Sequence, residues 1–430
     1  MRIERLIERL ERDGSVSLWA LHATTSRRLA LGIKDRQAGN PHAPLRIAET
    51  GGARYRIVWS DGRVSRGWLE RRQAEEQPRE SLERAREAAY DDPDAARVTG
   101  PADMPEVELY DRATADAAGG DTSRLEQRLT RAREAAEDGF RTWSGSFSWG
   151  AGSGRVATSR GLDVCAEGTS AGWYISLNGE IGDGFSGRRP ESENEFDARL
   201  RRLAALARRL ERDGSPLPGG VHPLILHPRV VESYVLETLL SNLSGSTVAH
   251  GEGHFRREQF GGSRPVLRED IDLRLDPLKP WRLGSYRFTG EGLPAARCTF
   301  IRRGVPVTPV LDLKYAHRLG LRPTPQPYSM DVLHFGGSPP LGLERAVEKA
   351  GNGALVLSVL GVHTQDRASG DFSLAAPQVV RILGGALEGR LRATLSGNLF
   401  ALLRDSRTGF VRFEGEPTPG LLVHCRLDPK

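Results

Sequence analysis

Ser369-Gly370-Asp371-Phe372-Ser373, followed by Gln378 to Leu383, Gly384-Gly385, Arg390 to Leu395 and Ser396-Gly397-Asn398, is the stretch from which the fold is read. Small and turn-forming residues surround one aromatic. Gln378 to Leu383 reads as a short strand and Gly384-Gly385 as a turn. Leu391, Ala393 and Leu395 alternate with polar residues, as a returning strand requires. Leu399 to Leu403 closes as one helical turn. Asp371 and Asn398 have short polar side chains that can bond nearby backbone N–H groups, while Gly370 and Gly397 permit left-handed or close-approach backbone. On spacing alone, two well-built turns in a sheet protein account for the stretch.

Working outward, helical spacing of Ile3, Leu6, Ile7 and Leu10 predicts a first helix, and Val16 to Leu21 and Leu29 to Ile33 read as strands. Tyr55, Ile57 and Trp59 alternate into an Asp61-Gly62 turn from which Val64 returns. Glu75 to Asp92 reads as a charged helix stopped by Pro93, and residues 94–122 as a solvated linker. Leu125, Leu129 and Ala132 mark a helix ended by Asp138-Gly139. Trp143, Phe147 and Trp149 suit an aromatic hairpin packed on a neighbouring sheet. Phe196, Leu200, Leu203, Ala207 and Leu210 form a narrow helical stripe. Asp213 to Gly220 then breaks all periodicity and marks a domain boundary. Beyond it, Leu224-Ile225-Leu226 is a buried strand, and Pro228 opens a helix reaching Leu243.

Gly-Asp-Phe-Ser at 370–373, the Gly-containing hairpin and Gly397-Asn398-Leu399 together resemble the C-terminal signature of the TldD/PmbA family, on its PmbA (TldE) side. Further similarities follow in order: Asp91-Asp92-Pro93 after a charged helix, the Ser159-Arg160-Gly161 turn, Gly290-Glu291-Gly292, the Arg302 to Val305 hairpin and Asp312 to Ala316. The resemblance implies an α+β fold: an N-terminal α/β unit (1–93), the linker, a middle unit (123–214) and a sheet-rich, mainly antiparallel C-terminal domain (221–430). It implies a two-subunit zinc metalloprotease in which a TldD-like partner supplies the zinc and both chains enclose a chamber for extended peptides. This chain would then bind no cofactor and carry no catalytic residue of its own. Substrate or partner contact is expected at Gly370, Asp371, Phe372, Ser373, Gly397 and Asn398, by backbone pairing to a sheet edge.

In the zinc-bearing subunit the helix after the buried strand carries His-Glu-x-x-x-His, with two imidazoles on one face and a glutamate as general base. The corresponding helix here reads Leu236-Glu237-Thr238-Leu239-Leu240-Ser241. Glu237 alone cannot hold a metal, and a packing role is expected. The one local cluster with ligand chemistry is His250-Gly251-Glu252-Gly253-His254. On a strand, His250, Glu252 and His254 would share a face and could converge on a metal. Two glycines weaken such a strand, and no further acid or cysteine is placed to complete a closed site.

At 430 residues the chain can hold two or three domains. No apolar run reaches the roughly 20 residues of a membrane helix, and Met1 to Leu6 has no signal-peptide core. Cys165, Cys298 and Cys425 are scattered, without disulfide or metal-knuckle spacing. A cytoplasmic protein is expected. The net charge of +5 is the excess of 61 basic over 56 acidic residues, and only five of the basic ones are lysine (Lys34, Lys279, Lys314, Lys349, Lys430). The arginines are interleaved with acids, as in Glu83-Arg84-Ala85-Arg86-Glu87, and form no basic stripe, so nucleic acid is disfavoured as a partner. A stand-alone peptide- or nucleic-acid-binding protein is the alternative. His424 and Cys425 are adjacent and point to opposite faces of a strand. No phosphate-binding loop of the Walker type is present.

Overall fold

Alternating apolar and polar residues from Val16 to Lys34 build one strand of 19 residues, where two short strands were expected. The computed structural model describes residues 3–39, 44–137, 140, 142–179 and 181–430; Met1, Arg2 and the Asp138-Gly139 helix end lie outside these. Val16–Lys34 pairs on one side with Leu45–Trp59 and on the other with Trp143–Thr158. The sheet continues through Val64–Glu70 at one edge and Asp163–Leu177 and Ile181–Gly187 at the other, antiparallel throughout. The N-terminal and middle units therefore contribute strands to a single sheet.

The segment between them is packed rather than solvated. It holds a short 3₁₀ turn, Pro93–Ala95, and a helix, Arg112–Ala118, capped by the Asp111 side chain accepting from Thr114 N–H. Val98, Leu109, Ala117 and Ala118 are buried. Polar composition suggested a linker, but these few apolar residues suffice to fasten it to the sheet.

The C-terminal half is built on a second sheet. Gly220–Leu226 pairs parallel with Gly353–Leu360, which pairs antiparallel with Asp371–Leu383. That strand turns at Gly384-Gly385 into Ala386–Asn398, which pairs with Gly420–Pro429. Gly420–Pro429 pairs in turn with Gly220–Leu226, closing the sheet on itself. Gly384 and Gly385 have φ of +59° and +76°, the left-handed pair that a two-residue hairpin demands. Residues alternate between two cores. Leu224, Val356 and Leu374 share one with Val235, Leu239 and Phe400. Ile225, Leu355 and Val380 share the other with Phe196, Leu203 and Leu210 of the middle unit's helix Glu193–Leu210. A small sheet of Leu273–Leu275, Cys298–Arg302, Val305–Pro306 and Leu333–Phe335 completes an α+β fold. Among the described residues no helix is long and apolar enough to cross a membrane.

Candidate functional site

The residues singled out at 369–398 meet. Asp371 stands opposite Asn398, Phe372 opposite Gly397, and Ser373 opposite Ser396. Asn398 Nδ2 donates to Asp371 Oδ1 at 2.8 Å and to Ser369 O at 2.9 Å, and Asn398 Oδ1 accepts from Ala401 N–H to start the Leu399–Arg404 helix. Gly370 has φ +80°, and a Cβ there would lie 2.5 Å from the Phe400 ring. Asp371 and Ser373 are exposed, whereas Phe372 is buried against Tyr234 with ring centroids 5.2 Å apart. The strand extends beyond the Leu360–Ala375 pairing, but Gln365 Oε1 already accepts the Ser373 N–H at 2.7 Å. One backbone donor of the expected edge is thus internally satisfied.

Tyr234 belongs to the helix that would bear a zinc motif. Pro228 starts it after His227, and Val231–Leu236 is wound as π-helix before α-helix resumes at Glu237–Leu243. The π turn is rare and frequently found at functional sites, and nothing in the spacing of apolar residues announced it. Leu236 and Leu239 are in the core, and Glu237 pairs with Arg367 at 2.9 Å. These residues do not fit a zinc ion.

The His250–His254 segment is not a strand. A helix, Gly245–His250, ends there on Gly251 at φ +69°. His250 Nδ1 bonds Ser246 O at 2.8 Å. Glu252 is exposed, and the His254 ring stacks on Phe400 at 3.6 Å. Gly251 and Gly253, which already counted against a strand, lie where the helix ends and the chain turns away. Among the described residues no three His, Cys, Asp or Glu side chains are grouped for a metal ion.

A second locus joins the middle unit to the C-terminal domain. Arg199 lies between two acids, 3.5 Å from Asp183 Oδ1 and 2.8 Å from Glu416 Oε1, and also donates to Gly415 O at 2.6 Å. Arg229 donates to the same Asp183 carboxylate and to Gly182 O. Burial pushes the Glu416 carboxyl up, opposed by Arg199, and pushes Glu232 up likewise, opposed by its bond from Thr418. His227 caps the helix start, its Nδ1 accepting from Arg229 N–H at 3.3 Å, and packs edge-on to Phe413. Burial, with Arg229 and Arg199 nearby, drives its pKa down to about 3, so the imidazole is neutral. His227, Arg229, Asp183 and Glu416 line a cavity of about 1050 Å³. No sequence motif marks these residues. Only Pro228 and the strand before it hinted at His227.

Residues 219–411 match the sequence profile of the PmbA/TldA metallopeptidase C-terminal domain. Three solved structures share the fold over nearly all of both chains. One is a candidate modulator of DNA gyrase from Bacteroides thetaiotaomicron, with 17% identity, a TM-score of 0.78, and coverage of 100% of this chain and 98% of that one. A second candidate modulator of DNA gyrase, from Thermotoga maritima, has 18% identity and a TM-score of 0.79, over 99% and 100%. TldE from Thermococcus kodakarensis has 18% identity and a TM-score of 0.79, over 99% of each chain. No curated protein matches the sequence.

Proposed function

From the membership of this chain in the PmbA/TldD family, carried by its C-terminal domain, we propose that it is a TldE-like, non-catalytic subunit of a two-component zinc metallopeptidase in the cytoplasm. A TldD-like partner supplies the metal, and this chain shapes the chamber that receives extended peptides. One observation carries the reading: no histidine in the sequence is followed by glutamate, so His-Glu-x-x-x-His cannot be formed anywhere in it. The whole-chain likeness to a TldE fold supports it further. The Gly370–Ser373 and Gly397–Asn398 corner, exposed at Asp371 and Ser373, is where this chain touches peptide or partner. The units 1–93, 123–214 and 221–430 act as one support for that corner.

The test is reconstitution. The purified chain alone should leave casein and unstructured peptides intact with or without added zinc. Mixed with its cognate TldD-like subunit, it should raise cleavage above that of the partner alone. Metal-dependent cleavage by this chain by itself, abolished by chelator, would end the proposal.

A further inference from the structure

The cavity between the middle unit and the C-terminal domain is walled by apolar side chains, among them Leu206, Leu355, Leu357 and Phe413. Its size suits a small ligand or a few residues of peptide. Arg345 and Arg412 line the same cavity. They are neighbours by construction: Arg412 stands opposite Gly342, and Arg345 lies in the first turn of the helix Leu343–Ala350 that begins after Gly342. Both are exposed, and among the described residues neither guanidinium has a hydrogen-bond or ion-pair partner. Glu344 is the opposing charge beside them, while Arg202 and Glu414 lie 3.9 Å apart and largely cancel.

The other polar groups of the cavity wall discriminate between ligands. His227 Nδ1 is already an acceptor, so the neutral ring carries its proton on Nε2, a donor without a protein partner among the described residues. Ser358 Oγ, buried without a partner, and Gln378 also lie in the wall. Paired arginines recognise a carboxylate, and apolar walls take its attached side chains. Both a peptide C-terminus and a fatty acid offer those two features. Only the peptide also offers the amide and carbonyl groups that His227, Ser358 and Gln378 can bond.

We propose that this cavity binds the carboxyl-terminal end of an apolar peptide, with the terminal carboxylate at Arg345 and Arg412, the last side chain against Leu206 and Phe413, and a carbonyl on His227 Nε2–H. The assignment rests on the reading of the protein as a peptide-handling subunit.

Calorimetric titration of the full chain, without any zinc subunit, tests it with N-acetyl-Leu-Leu-Phe, the same peptide as its C-terminal amide, and decanoate. The free acid should bind saturably and about 10-fold more tightly than the amide, the loss expected when one charge-assisted pair is removed. The double variant Arg345→Ala/Arg412→Ala should bind the acid no better than the amide while keeping the parent's thermal midpoint, since both side chains are exposed. Absence of binding, equal affinity for acid and amide, tighter binding of decanoate, or an unaffected double variant would each overturn it. Because no cleavage is measured, a failed titration beside a successful reconstitution rejects the cavity assignment alone. Failed reconstitution rejects the subunit reading.

Discussion

Asn398 and Asp371 are held side chain to side chain across the C-terminal hairpin, Nδ2 to Oδ1 at 2.8 Å. The pair ties a strand end to a loop, because the same amide bonds Ser369 O and caps the Leu399–Arg404 helix. A peptide reaching this corner meets a surface already organised by Asn398.

Asn398→Ala removes a helix cap, a cross-strand bond to Asp371 and a bond to the Ser369 loop carbonyl together. The loss should be about 1–2 kcal/mol, read as a lower urea midpoint with an unchanged slope. Asn398→Asp should recover only part, since it keeps the cap but sets two carboxylates opposite each other. A midpoint equal to the parent's in Asn398→Ala would show that the corner is held by other contacts.

Gly370→Ala places a Cβ 2.5 Å from the Phe400 ring on backbone at φ +80°. The conformation alone should cost about 1–3 kcal/mol, with the clash adding to it. Combining Gly370→Ala with Phe400→Leu relieves the clash and leaves the backbone term, so thermal unfolding of the pair should show partial rescue relative to the sum of the single changes.

Arg199→Ala strands Glu416, which is partly buried at the joint between the middle unit and the C-terminal domain. Breaking a buried pair by removing one partner typically costs about 3–5 kcal/mol. Asp183 keeps Arg229, so the double change Arg199→Met/Glu416→Leu should be markedly less damaging than Arg199→Ala in urea unfolding. If the double variant is the worse of the two, the ion cluster contributes more than its desolvation costs.

His227 gives the fold a pH dependence of definite sign. Its folded pKa of about 3 lies below the ordinary 6.5, so the unfolded chain takes up a proton between these values and the native chain does not. The stability it contributes is complete above pH 6.5 and declines as pH falls towards 3. Relative to His227→Gln, the parent should therefore lose stability between about pH 7.5 and about pH 5. Raised carboxyls such as Glu416 act in the opposite direction, and the paired comparison removes them.

The hairpin at Gly384-Gly385 was legible because a two-residue loop of glycines admits few alternatives, and its alternating Leu391, Ala393 and Leu395 fixed which face is buried. Its strands run further than expected, to Asp371 and Asn398, because tertiary pairing holds polar residues that local propensity would release. The helix after Pro228 was legible from its start signal, but not its π turn, within which Tyr234 packs on Phe372. The Asp183–Arg199–Arg229–Glu416 cluster was invisible for a different reason. Its members come from distant segments of an arginine-rich chain, where no single arginine stands out. The His250–His254 cluster could share a face only on a strand, and the two glycines that counted against one stand where a helix ends on left-handed Gly251.

The pairing of Gly220–Leu226 with Gly420–Pro429 has a consequence for biosynthesis. A nascent chain emerging from the ribosome has the opening strand long before the one that must zip against it. Until then Leu224, Ile225 and Leu226 can only be sheltered provisionally, by the helix that follows or by a chaperone. Ring closure is a late, long-range event whose loop entropy must be overcome before its contacts form. Removing residues 420–430 should therefore leave the N-terminal sheet intact and the C-terminal domain as an unsealed, aggregation-prone stave.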